Sequence, residues 1–228
     1  MHRFFYRLCG LALLGLVLCA PAQSLLKEDE KMTTVVNQFY GATAAARTRD
    51  WRQLVREGQA REWNERETLS RVNIFFNRLH FIDDIKLWGK SDYWATPLEF
   101  LGAGGGDCED FSIAKYFSLR ELGVDDEKLR LIYVKALKLN QFHMVVAYYP
   151  TPSSVPLILD NLEGTIRPAT ERGDLAPIYS FNGQHLWLMR ERGQGELAGQ
   201  ASRLSLWNDL RGRVDVKRLQ RPRMNLDG

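Results

Sequence analysis

The chain has 228 residues, 45% hydrophobic and 26% charged, which fits one catalytic domain or one and a half, with a substantial core. Its formal charge is +3, and setting aside Arg3 and Arg7 near the start leaves +1, a near-neutral balance that argues against a general nucleic-acid binder. The basic stretch from Arg211 to Arg223 reads as a solvated tail, and no internal repeat or low-complexity tract appears.

Residues 1–22 read as a secretory signal. Arg3 and Arg7 form the positive start, Leu8 to Leu18 an apolar run too short to span a bilayer comfortably, and Ala20-Pro21-Ala22 a small-residue cleavage site. Cys19 raises a lipoprotein alternative, but Leu18 stands where a lipid-attachment site needs a small residue. Export with cleavage is the expectation. Of the three cysteines, Cys9 and Cys19 lie in that signal, so the exported chain keeps Cys108 alone. A lone cysteine in an oxidising compartment has no internal disulfide partner and stands as a reactive thiol.

Helices are predicted over residues 28–46 and 51–58, broken around 47–50. A third is predicted over 65–79, where Leu69, Val72, Phe75, Phe76 and Leu79 recur at the spacing of one buried face, with His80 as a last-turn cap. The stretch 83–100 is aromatic and irregular. Gly102-Ala-Gly-Gly-Gly106 then leads into a helix over 107–121, stopped by Gly123. Beyond it the period changes: 129–137, 142–149, 157–160 and 186–189 read as strands, separated by turn-rich stretches. Helices followed by antiparallel strands predict an α+β fold, with the Cys108 helix packed on an antiparallel sheet. From Glu191 the chain is polar, with one short helix expected around 204–210, so 191–228 reads as a C-terminal extension to a domain spanning 23–190.

Cys108 sits where glycine turns into a helix, an end that offers free N–H groups and a positive dipole to a thiolate. His143 lies in a strand 35 residues on, and Asp160 closes the next strand after a further 17. Cys, His, Asp is the order of parts in thiol hydrolases and acyltransferases: a nucleophile, a base that titrates near neutrality, and a group that orients the base. Two adjacent antiparallel strands would bring His143 and Asp160 side by side. Asn161 is the alternative orienter and His185 the alternative base.

Three carboxylates around the sulfur, Asp107, Glu109 and Asp110, should disfavour a thiolate. They serve either as helix caps or as oxygen ligands for a hard cation, calcium rather than zinc. No Gly-Lys-Ser/Thr follows the glycines, and acids crowd them, which argues against a phosphate loop.

Residues 88–101, Gly105-Gly-Asp-Cys-Glu-Asp-Phe-Ser112, His143-Met-Val and Leu157-Ile-Leu-Asp-Asn161 together resemble the bacterial transglutaminase-like cysteine proteinases of the LapG type, over residues 30–190. The resemblance implies a papain/transglutaminase-like fold and a periplasmic calcium-dependent cysteine endopeptidase with catalytic Cys108, His143 and Asp160. It places calcium acids at Asp107, Glu109 and Asp110, with backbone oxygens near Asp92 and Tyr93. It also implies a large repeat adhesin as substrate, a role in biofilm attachment, and an inner-membrane cyclic di-GMP receptor of the LapD type as sequestering partner. Two other readings stand beside it. One is a transglutaminase or acyltransferase sharing the thioester chemistry; the other is an exported binding module using Trp88, Trp94 and Trp187 as exposed anchors.

Overall fold

The computed structural model describes residues 20–189, 195–214 and 216–227. Most of the expected signal segment therefore lies outside the described residues, and no described helix is long and apolar enough to cross a membrane.

Three helices open the fold: α1 (Ala20–Tyr40), α2 (Ala42–Ala60) and α3 (Glu65–Phe76). The first break falls at Gly41, not around 47–50 as expected, because Gly41 takes φ 104, a conformation that side chains resist. Residues 47–50 continue α2, and Thr48, Trp51 and Arg52 there are buried. Asn64 caps α3 by accepting from the N–H of Glu67, and the helix buries Leu69, Val72 and Phe76. It ends at Phe76, so His80 is no cap; it stands exposed in the two-residue strand β1 (His80–Phe81).

Two short helices, α4 (Asp84–Leu87) and α5 (Pro97–Ala103), lie in the aromatic stretch. Thr96 and Glu99 close a reciprocal capping box on α5, and Gly104 ends it at φ 80. Strand β2 (Gly105–Gly106) pairs in parallel with β1, and the N–H of Ile82 donates to the Gly106 carbonyl at 2.9 Å. This small ladder draws residues 80–84 alongside the glycine loop. A Cβ at Gly106 would overlap the Asp110 carboxylate, so the glycine is there to admit that side chain.

Helix α6 (Cys108–Glu121) is buried along most of its length, including Phe111, Ile113, Ala114, Tyr116 and Leu119. Phe111 meets Phe100 edge-on at 4.8 Å between centroids, and Trp51 of α2 donates to Ser118 Oγ at 2.8 Å. Burying a phenylalanine or leucine of this kind contributes about 1.5–3 kcal/mol.

The sheet has seven strands: β3 (Leu129–Ala136), β4 (Gln141–Tyr148), β5 (Leu157–Leu159), β6 (Arg167–Pro168), β7 (Leu175–Phe181), β8 (His185–Met189) and β9 (Gly195–Gln200). Their order is β6-β5-β4-β3-β7-β8-β9, and every neighbouring pair is antiparallel. Met144, Val146 and Tyr148 of β4 face the main core with α6, while Val145 and Ala147 join a smaller cluster with Ile132, Val134 and Ile158. The α+β architecture with the Cys108 helix against an antiparallel sheet is thus the one found.

The described residues from 195 onward pack onto this body. Strand β9 pairs with β8, and helix α7 (Ser205–Gly212) places Trp207 and Leu210 in the main core. Arg213 then reaches the fully buried Glu99 at 2.7 Å, and Asp227 pairs with Arg47 at 2.5 Å. Part of the polar composition serves such pairing: Arg213 also donates to the Trp94 carbonyl at 2.7 Å, and Arg221 to the Phe39 carbonyl at 2.8 Å.

Candidate active site

Cys108 is the first residue of α6, half-buried, with Asp107 as N-cap. Asp110 accepts from the Asp107 N–H at 3.3 Å and from the Ala95 N–H at 2.7 Å, which fixes the loop against the 92–96 segment. One turn beyond Cys108, Ser112 donates its hydroxyl to the Met144 carbonyl at 2.8 Å. The N–H of the same Met144 lies toward the sulfur. Helix α6 is therefore registered on β4 at the residue directly after His143.

His143 is 4% exposed, and its Nε2 lies 2.7 Å from Asp160 Oδ1. Asp160 stands one residue past the last β4–β5 ladder pair, Val146 with Leu159, so it reaches His143 diagonally. Its Oδ1 also accepts from the Leu162 N–H at 3.0 Å, and its Oδ2 from Arg172 Nη2 at 2.8 Å. The sulfur's recorded hydrogen bond goes to Glu109 Oε2 at 3.1 Å, and none joins it to the ring. With Nε2 committed to Asp160, Nδ1 is the nitrogen left for the sulfur. Asn161 makes no hydrogen bond to the ring. His185 lies exposed on β8 against Trp187 and has no bond to Cys108.

Two kinds of carboxylate flank this array. Burial would push Asp160 up, but the hydrogen bond and charge of His143, the Leu162 N–H and Arg172 outweigh it and hold the group at about 2. In the acids that flank Cys108 in sequence, and in Asp84, compensation is confined to backbone N–H groups. Burial, then Asp110 and Glu109, push Asp107 up to about 11. Burial, with Glu109, Asp92 and Asp83 adding to it, raises Asp84 to about 7 despite the Tyr93 N–H. Burial followed by Glu109 and Asp107 raises the Cys108 thiol well above its ordinary range. Burial and the neighbouring acids thus work against the thiolate-favouring helix end expected for Cys108.

The acids form one cluster. Asp84, Asp107 and Asp110 bring oxygens within 4.8 Å of one another, and so do Asp84, Asp92 and Glu109. Asp84 Oδ1 and Asp107 Oδ1 are buried with no hydrogen-bond partner. Orphaned carboxylate oxygens converging in this way fit a hard cation and are costly without one. The cluster holds the three acids named from sequence and adds Asp84 and Asp92. Asp84 went unrecognised because it reads as a helix-start acid 24 residues before Cys108; only the β1–β2 pairing brings it in.

The match to the family model of bacterial transglutaminase-like cysteine proteinases covers residues 43–174. The chain belongs to that family. It is a cysteine protease by that membership. Legionella pneumophila LapG, EGTA-treated, is 40% identical with a TM-score of 0.72, covering 82% of this chain and 97% of its own. Its calcium-bound form is 41% identical with a TM-score of 0.70, covering 82% and 99%. No curated protein matches the chain.

None of the three tryptophans expected as exposed anchors is exposed. Trp88 and Trp94 are 6% and 5% exposed, and Trp187 lies half-buried under the Arg130 guanidinium at 4.0 Å. The aromatic stretch is core, which removes the basis for the binding-module reading.

Proposed function

We propose that the protein is a calcium-dependent periplasmic endopeptidase that cuts a large repeat adhesin near its N-terminus and so releases cells from a biofilm. The observation that carries the reading is the buried His143–Asp160 pair, set one residue before the peptide that meets the Cys108 helix. In this reading His143 Nδ1 takes the thiol proton as Sγ attacks a peptide carbonyl carbon. The Cys108 N–H, free at the first turn of α6, donates to the oxyanion. The imidazolium returns its proton to the leaving amine, leaving a thioester. His143 then deprotonates water, which attacks the thioester and restores the thiol. Asp160 keeps the ring in one tautomer and stabilises its cation throughout. Hydrogen bonds at such sites are often loose without substrate, so closure of the Nδ1–sulfur contact belongs to the substrate complex.

Asp84, Asp92, Asp107, Glu109 and Asp110 would hold the calcium. Bound there, calcium supplies positive charge that neutralises the acids and orders the loop bearing Cys108. Calcium-bound LapG supports this assignment. An inner-membrane receptor of the LapD type, responsive to cyclic di-GMP, sequesters the protease. The test is incubation with an N-terminal fragment of the organism's own large surface adhesin, with and without EGTA, read on a gel. A calcium-dependent cut lost in Cys108→Ala supports the reading; an intact fragment, or a cut that Cys108→Ala also makes, overturns it.

A further inference from the structure

Asp160 needs a fixed carboxylate plane if one oxygen is to meet His143, and its own strand does not provide one. The residue lies past the end of β5, where the ladder has stopped. His143 and the Leu162 N–H both use Oδ1, at 2.7 and 3.0 Å. Rotation about the carboxylate axis is therefore set by whatever holds Oδ2.

That partner is Arg172, 6% exposed, whose Nη2 donates to Oδ2 at 2.8 Å. Arg172 is itself held in place by Asp174. Its Nε donates to Asp174 Oδ1 at 3.0 Å and its Nη2 to Asp174 Oδ2 at 2.9 Å, the two-point fork that a guanidinium offers and an ammonium does not. The backbone around it is pinned too: the Arg172 N–H donates to the Ala169 carbonyl, the Leu175 N–H to the Arg172 carbonyl, and the Leu137 N–H to the Asp174 carbonyl. The chain of contacts runs Asp174, Arg172, Asp160, His143, and ends at the ring edge that faces the reaction.

We propose that Arg172 is a positioning residue of the protease, oriented by Asp174 and fixing the second oxygen of Asp160 so that the first meets Nε2 of His143. This rests on the protease reading above and assigns a further part to the same site. Lys115, buried on α6 one turn beyond Ser112, lies near Asp160 but makes no hydrogen bond to it, so it cannot set the plane.

The test uses the full calcium-loaded chain with iodoacetamide as probe. Cys108 alkylation is timed by intact mass, and the low-field imidazole N–H proton of His143 is followed by NMR. Arg172→Met is expected to weaken or abolish the low-field signal and slow alkylation by about 10–100-fold, the range seen when an orienting partner of a functional side chain is removed. Arg172→Lys restores part of both. In an Asp160→Asn background, Arg172→Met is expected to add no further loss, because its effect passes through Asp160. Should Arg172→Met fail to fold, Asp174→Asn keeps the arginine and frees its fork, with a smaller loss expected in the same two readouts. Multiplying losses in the double variant, or an unchanged low-field signal in a folded Arg172 variant, would overturn the assignment. A wild type alkylated no faster than His143→Ala would count against the protease reading instead, while the imidazole proton still reports on Arg172.

Discussion

The fold treats two sets of carboxylates in opposite ways. Asp160 is surrounded by donors and cations and is held at about 2. Asp84, Asp107, Asp110 and Glu109 face mainly one another, and Asp107 is driven to about 11. The same functional group is finished on one side and wanting on the other. What the second set lacks is positive charge, and no described lysine or arginine forms an ion pair with Asp84, Asp107 or Asp110. A satisfied acid is suited to orienting an imidazole; an unsatisfied cluster is suited to taking a cation.

The largest expected effects separate the two sides by activity. Asp160→Asn should cut turnover on an adhesin fragment on the order of 10³–10⁴-fold while leaving calcium binding intact by titration calorimetry. EGTA should stop the wild-type reaction, with calcium but not magnesium restoring it, because a flexible many-oxygen site suits the larger ion. Next come effects on stability. Calcium at a hundredfold its Kd should stabilise the wild type by about 2.7 kcal/mol in denaturant titrations. Asp84→Asn should lose that gain, yet raise the melting temperature of the calcium-free protein by roughly 2–4 °C per kcal/mol of relieved repulsion.

The remaining effects are pH-dependent and have opposite signs. Asp160 has a folded pKa below its unfolded one, so its contribution is present above about pH 4 and is lost as pH falls through about 2. It amounts to about 2–3 kcal/mol, and Asp160→Asn should flatten the acid limb of the stability curve. Lys115 is lowered by burial, against the pull of Asp160, to about 7. The unfolded chain holds that proton more tightly, so the lysine's term makes stability rise from about pH 7 to pH 10. Lys115→Met should remove that slope and stabilise the protein at pH 7, measured by urea titration at both pH values.

What could be read from the sequence was what lies local to a motif. Periodicity marked the buried face of α3, and the change of period marked the passage from helices to β3 and β4. Gly-Asp-Cys-Glu-Asp drew attention to the Cys108 turn, and strand spacing paired His143 with Asp160. The rest depends on distant chain segments meeting. Gly41, by contrast, was a local signal for the break that the more polar 47–50 stretch overshadowed. Strand β7 holds Pro177 near its start, which disguised its pairing with β3. Asp84 reaches the cluster only through β1–β2, and Arg172 reaches Asp160 only because the chain folds back after β6. The 191–228 stretch looked like an extension because its arginines serve carbonyls and the buried Glu99, contacts that hydropathy does not register.

The most direct measurement is the cleavage rate of an adhesin fragment by folded His143→Ala relative to wild type, both in saturating calcium. A fall of about a thousandfold or more is expected if this imidazole activates the sulfur. A rate within a few-fold of wild type would contradict the account, whatever the fate of Cys108→Ala.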